Sequence, residues 1–234
     1  MTLSTGPAAP RLAVKICGLK DEAALDAALA AGAEMVGLVL FPPSPRHLAA
    51  ADAGHLAARA RGRAEVVLLT VDADDATLDA AIAAIRPDWL QLHGGESPAR
   101  VDAVRRRFGL PVMKALGIRG AEDLAATAAY AGVADRLLFD AKPPKDASRP
   151  GGNGLAFDWR LMRRLDPGTP FMLSGGLAVE TVAEAIRIAR PLGVDVSSGV
   201  ERAPGEKDPA LIAAFVAAAR AGAAASTEIE GASR

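Results

Sequence analysis

Leu12-Ala13-Val14-Lys15-Ile16-Cys17-Gly18-Leu19-Lys20-Asp21 runs from a short apolar strand into the start of a helix. Parallel α/β proteins place their chemistry at such junctions. An open doubly wound sheet would carry the glycine fingerprint G-x-G-x-x-G in its first turn, and Cys17-Gly18-Leu19-Lys20-Asp21 lacks it. Outward from this stretch the same unit repeats. Strand-like runs at 12–17, 34–41, 65–70, 89–92, 111–115, 136–140, 171–174 and 194–196 alternate with Ala-rich intervals expected to be helical, the last near 209–221. Gly32, Gly109, Gly132 and Gly193 stand where left-handed helix caps are expected. Eight βα units without a linker predict one α/β domain, a (β/α)8 TIM barrel at 11–222. Loose tails are expected at 1–10 and 223–234.

Composition narrows the function. The chain has 234 residues, half of them hydrophobic, and a formal net charge of -1. It offers no broad basic field for nucleic acid. A single cysteine excludes an internal disulfide, and Cys17, His47, His55 and His93 have no metal-site spacing, so no metal is expected. The first ten residues lack the marks of a signal peptide, and no apolar stretch is expected to span a bilayer. A cytoplasmic protein with no membrane partner is the expectation.

Side chains alternate across a strand, so polar residues of one parity mark the barrel interior. On that reading Lys15 and Cys17 point inward from the first strand, and Gln91 and His93 from the fourth. Lys114, Asp140 and Ser174 follow from the next three strands, with Asp195 and Ser197 from the eighth. A thiol, carboxylates, amines and an imidazole at one mouth exceed what a packed barrel needs. Cys17 is a candidate base or nucleophile, with Lys15 placed to hold a thiolate; a small buried filler is the alternative. Asp140 ends the apolar run Leu137-Leu138-Phe139, a shielded place for a proton donor. A helix N-cap or an ion pair with Lys142 are its alternatives. Asp195 is the rival acid. His47, His55 and Arg105-Arg106-Arg107 are assigned to the surface.

Ser174-Gly175-Gly176-Leu177 and Ser197-Ser198-Gly199-Val200 follow the seventh and eighth strands, the habitual phosphate cup of such barrels. Gly175, Gly176, Ser198 and Gly199 are therefore candidate phosphate ligands, with ordinary tight turns as the alternative. Gly151-Gly152-Asn153-Gly154 lies in the longest interval, 141–156, where a lid is expected. Arg46 sits in the proline-stiffened loop Phe41-Pro42-Pro43-Ser44-Pro45-Arg46 and could grip a carboxylate through two parallel hydrogen bonds. A solvated surface arginine is its alternative.

Taken together, these segments resemble the phosphoribosylanthranilate isomerase family. The resemblance rests on Lys15-Ile16-Cys17-Gly18, the Phe41 to Arg46 loop, Gln91-Leu92-His93-Gly94, Phe139-Asp140, the stretch from Gly151 to Trp159, Ser174-Gly175-Gly176-Leu177, and the stretch from Asp195 to Glu201. They run in family order across about 12–215. The resemblance implies a cofactor-free (β/α)8 enzyme of tryptophan biosynthesis. Its reaction is the Amadori rearrangement of N-(5-phosphoribosyl)anthranilate to 1-(2-carboxyphenylamino)-1-deoxyribulose 5-phosphate. It further implies Cys17 as general base, Asp140 as general acid, and Arg46 as holder of the anthranilate carboxylate. His93 and Asp195 count with Arg46 as substrate-binding, and a monomer or homodimer is expected. One departure is Asn153, where the family more often has Thr or Ser after the double glycine; it bears on that loop alone. Histidine-pathway isomerase and indole-glycerol-phosphate synthase barrels lack the Lys-Ile-Cys-Gly start. A non-catalytic phosphate-ligand sensor would keep the glycine loops without needing both Cys17 and Asp140.

Overall fold

Strands with apolar residues on both parities bury both faces, which suits a parallel sheet enclosed by helices. The computed structural model describes residues 11–142, 156–165 and 170–232. The expected N-terminal tail, the Gly151 to Gly154 cluster and nearly all of the expected lid lie outside them. The strands are β1 (Ala13–Cys17), β2 (Met35–Val39), β3 (Glu65–Thr70), β4 (Trp89–Leu92), β5 (Val112–Ile118), β6 (Arg136–Ala141), β7 (Phe171–Leu173) and β8 (Gly193–Val196). They pair in sequence order, and β8 joins β1 in parallel to close the barrel.

The helices are α1 (Glu22–Ala31), α2 (Ala50–Ala60), α3 (Asp75–Ile85), α4 (Pro98–Phe108), α5 (Val182–Ala189) and α6 (Pro209–Ala232). Side-chain caps start several of them: Asp21 accepts from the Ala24 N–H and Asp74 from the Thr77 N–H, each at 2.8 Å. Two intervals depart from the expected α-helix. Residues Ala121–Tyr130 and Trp159–Arg164 wind as 3₁₀ helices. In the first, the Thr127 hydroxyl donates to the Leu124 carbonyl at 2.6 Å, a contact three residues back that matches the tighter winding.

Gly32 and Gly109 are left-handed helix caps as expected, and Gly132 has a φ of 80°. Gly193 is not a cap: Arg190 takes the left-handed position after α5, and Gly193 opens β8. A Cβ on Gly193 would come within 2.7 Å of the Ala13 carbonyl oxygen and 2.9 Å of Met172 Cε, so close packing fixes the glycine. At the C-terminus α6 continues to Ala232, so the expected tail is helical to that point. Pro209–Ser226 is also long and apolar enough to cross a membrane, contrary to expectation. Ile212, Phe215, Val216 and Ala219 of this helix are buried in the core shared with α1 and α5, which accounts for its apolar character.

Inside the barrel, Met35, Val67, Met113, Ala115, Leu138 and Met172 form the packed floor, with Trp89 against them. The Arg136 guanidinium lies 4.6 Å from the Trp89 ring centre and reaches the Met35 and Met172 sulfurs at 3.6 and 3.7 Å. Met113 and Ala115 are therefore the inward residues of β5, which corrects the expected orientation of Lys114. Lys114 points outward beneath the β4–α4 loop, donating to Glu96 at 2.8 Å, the Gly94 carbonyl at 2.7 Å and the Leu92 carbonyl at 3.3 Å. His47, expected on the surface, is half-buried.

Candidate active site

The inward side chains at the C-terminal strand ends form one polar layer above the apolar floor. Lys15 and Cys17 enter from β1. The Lys15 ammonium is fully buried and donates to Asp195 Oδ1 of β8 at 2.8 Å. Parallel register explains the pair, because Lys15 stands beside Asp195 in the ladder. Asp195 Oδ2 accepts from the Ser174 hydroxyl at 3.4 Å. Burial works against the Lys15 ammonium, but Asp195 and Cys17 outweigh it and raise its pKa.

Cys17 is 4% exposed and packs with Val39 and Leu69. Room for its sulfur comes from Gly37 on β2, where a Cβ would lie 2.9 Å from Sγ and 3.1 Å from Lys15 Nζ. Burial pushes the Cys17 thiol above its ordinary range; Lys15 pulls it down, Asp195 pushes it up, and Lys207 pulls it down again. The expected thiolate therefore has cations beside it, but desolvation is the larger influence and holds the thiol pKa above its ordinary range.

Asp140 closes β6 at 6% exposure. Its Oδ1 accepts the Ala141 N–H at 2.8 Å, and His93 Nε2 lies 3.4 Å from Oδ2. Gln91 stands 3.0 Å from the other ring nitrogen of His93. Lys142 pairs with Asp123 at 2.7 Å, so the alternative Asp140 to Lys142 ion pair is not formed. The parity reading thus brings Cys17, His93, Asp140, Ser174, Asp195 and Ser197 to one mouth and loses only Lys114.

Arg46 is buried, not a solvated surface residue. Its two-pronged grip falls on a carboxylate of this chain: Nε and Nη2 donate to Glu201 Oε1 and Oε2 at 2.7 and 2.8 Å. Glu201 begins a hairpin of β9 (Glu201–Ala203) and β10 (Glu206–Lys207) that follows β8. Lys207 Nζ donates to Glu201 Oε1 at 2.8 Å and to the Ser197 carbonyl at 2.8 Å. Burial pushes the Glu201 carboxyl up, but Arg46 and Lys207 overcome this and hold it below its ordinary range. The sequence reading missed Glu201 and Lys207 as site residues. Lys207 stands two positions after Gly205, and only the folded hairpin shows that it faces Ser197.

The glycine loops follow the expected places. Gly175 and Gly176 have φ of 83° and 67°, and among the described residues their N–H groups have no hydrogen-bond partner. A Cβ on Gly175 would sit 3.0 Å from Asp140 Oδ1, so this loop folds against the carboxyl. Ser198–Val200 forms one short 3₁₀ turn. A Cβ on Gly199 would overlap the Leu177 carbonyl oxygen, joining the two loops closely. Gly199→Ala is expected to cost about 1–3 kcal/mol of stability through this overlap. It should also weaken inorganic phosphate binding at least tenfold, on the order of 1.4 kcal/mol. Thermal unfolding and a phosphate titration measure both. Among the described residues, no cluster of three or more His, Cys, Asp or Glu could hold a metal ion.

The model of the N-(5'-phosphoribosyl)anthranilate isomerase family matches residues 14–218. A relative of that name from Rhodopseudomonas palustris strain BisA53 is 64% identical over 210 residues, covering 90% of this chain and 96% of the relative. One from Nitrobacter hamburgensis is 62% identical over 210 residues, covering 90% and 93%. The crystal structure of phosphoribosyl anthranilate isomerase from Thermotoga maritima superposes with a TM-score of 0.82 at 31% identity, covering 90% of this chain and all of that one (100%). Another structure of such an isomerase, in complex with reduced 1-(o-carboxyphenylamino)-1-deoxyribulose 5-phosphate, has a TM-score of 0.79 at 29% identity, covering 90% and 100%.

Proposed function

The chain belongs to the N-(5'-phosphoribosyl)anthranilate isomerase family, and from that premise we propose how its residues divide the work. The reaction is the Amadori rearrangement of N-(5-phosphoribosyl)anthranilate to 1-(2-carboxyphenylamino)-1-deoxyribulose 5-phosphate, a step of tryptophan biosynthesis. The observation that carries the assignment is a thiol and a carboxyl on the inner faces of β1 and β6. The glycine loops after β7 and β8 lie between them around the same rim.

Asp140 donates its proton to the ribose ring oxygen. The bond from that oxygen to the anomeric carbon breaks as the anilino nitrogen supplies its electron pair, giving an open-chain iminium. Cys17, as thiolate, removes the proton from the adjacent sugar carbon, and the resulting enolamine tautomerises to the ketone. Proton transfers suffice for these steps, so the reading assigns no cofactor. Asp195 is engaged with the Lys15 ammonium, which leaves Asp140 the better proton donor. Arg46, steadied by Glu201, meets the anthranilate carboxylate, with His93 beside Asp140 on the substrate side. The backbone of Gly175, Gly176, Ser198 and Gly199 cradles the phosphate. This reading places the enzyme in the cytoplasm, as a monomer or homodimer acting on a free phosphosugar.

Loss of the substrate's anthranilate fluorescence on adding purified protein tests the activity. Saturable binding with the fluorescence retained would make the chain a sensor instead. The pH dependence tests the base. With the Cys17 thiol above its ordinary range, kcat/KM should climb about tenfold per pH unit through neutrality until that thiol has ionised. A flat profile over the same interval would exclude a thiolate base.

A further inference from the structure

Lys114 is buried on the outer side of β5, yet the reaction proposed above does not use it. In the ladder it stands beside Leu92, the last residue of β4. From there Nζ donates to the Leu92 carbonyl at 3.3 Å and the Gly94 carbonyl at 2.7 Å, the residues that flank His93. Its remaining donor goes to Glu96 Oε2 at 2.8 Å, so the ammonium is fully used. Glu96 in turn takes backbone groups of two loops: Oε2 accepts the Gly94 N–H and Oε1 the Asp72 N–H, each at 2.9 Å. The Tyr130 hydroxyl donates to the Glu96 carbonyl at 3.0 Å, and the His93 N–H donates to the Thr70 carbonyl at 2.9 Å. The backbone on both sides of His93 is thereby tied to the ends of β3 and β5.

We propose that Lys114 is a positioning residue for the acid end of the site: by holding the carbonyls of Leu92 and Gly94, it fixes the His93 ring against Asp140. The proposal rests on the reading of Asp140 as the acid with His93 beside it. Asp140 Oδ1 accepts the Ala141 N–H, which leaves Oδ2 to carry the proton, and His93 Nε2 lies 3.4 Å from Oδ2. That distance is at the long edge of hydrogen bonding, so a small displacement of the His93 backbone would end the contact. Gln91, 3.0 Å from the other ring nitrogen, restrains rotation of the ring but not the backbone that carries it. Lys114 supplies that second restraint. Apolar residues could fill the same space beneath the loop, but only a charged donor paired with a charged acceptor orients peptide groups on both sides of His93.

His47, His55 and His93 are the histidines of the chain, so NMR of their rings follows each one, with His93→Asn identifying the signals of the third. In Lys114→Met the His93 signals should shift while those of His47 and His55 stay. Turnover should fall about 10- to 100-fold in kcat, with KM within about twofold of the parent. In a His93→Asn background the same substitution should lower kcat by less than about twofold, because the ring it positions is gone. A purely structural lysine would lower kcat equally in both backgrounds, or leave the His93 signals of the folded protein unmoved, and either result overturns the proposal. Lys114→Met strands the Glu96 charge; should it fail to fold, Lys114→Met combined with Glu96→Gln removes both charges and is judged by the same results. Undiminished turnover in Asp140→Asn would instead overturn the acid assignment, a failure told apart from that of Lys114 by the His93 signals.

Discussion

Cys17→Ala is expected to lower kcat by about 10²- to 10⁴-fold, the usual contribution of a positioned acid or base. KM and phosphate affinity should stay close to those of the parent. The separation follows from geometry. Cys17 reaches its pocket from β1, while the Gly175, Gly176 and Gly199 loops follow β7 and β8, so removing the sulfur should leave the proposed phosphate cup intact. The side-chain change itself is small: alanine still fills most of the space among Val39, Leu69 and Gly37, and a stability loss on the order of 1 kcal/mol is anticipated. Steady-state kinetics together with a melting curve separate the two effects. Near-normal turnover in a folded variant would remove Cys17 from the mechanism.

Asp140→Asn should produce a loss of the same order, about 10²- to 10⁴-fold in kcat. Asparagine has the same shape and keeps an oxygen to accept the Ala141 N–H that Asp140 Oδ1 accepts at 2.8 Å. What it lacks is the acid proton. The rival acid gives a contrasting result. Asp195→Asn strips a fully buried Lys15 of its counter-charge, a change expected to cost about 3–5 kcal/mol of stability. A destabilised Asp195→Asn beside a stable, inactive Asp140→Asn supports the division of roles. Stable and active Asp140→Asn would refute it.

Much of this was readable in the chain because parallel barrel strands impose period-two alternation, and polar residues at their ends betray the inner parity. Where strand ends carried one polar parity, as in Lys15 with Cys17 or Asp195 with Ser197, inward placement followed. β5 misled because its outward Lys114 is long enough to reach Glu96 and the loop carbonyls outside the barrel, while inward Met113 and Ala115 are as apolar as outward Val112. Polarity alone could not choose the face. Arg46 was found, but not its partner, since Glu201 lies 155 residues away and only the hairpin after β8 brings the two together. Lys207 was invisible for the same reason: its meaning depends on a turn that carries it back to Ser197. The 3₁₀ segment Ala121–Tyr130 was missed because its Ala-rich composition favours an α-helix locally, and the Thr127 to Leu124 bond is a detail that helical periodicity does not encode; Trp159–Arg164 has no alanine but is too short for periodicity to tell the two windings apart.

The barrel floor carries a separate consequence. Arg136 lies against the Trp89 face and the Met35 and Met172 sulfurs, at the end of the strands opposite the reacting groups. Substrate and solvent therefore meet the proposed acid and base from one direction only, as in a vessel stoppered at its base. Variation at the stopper and variation at the rim can be inherited independently, the first altering how long the protein survives heat, the second altering what it does while folded.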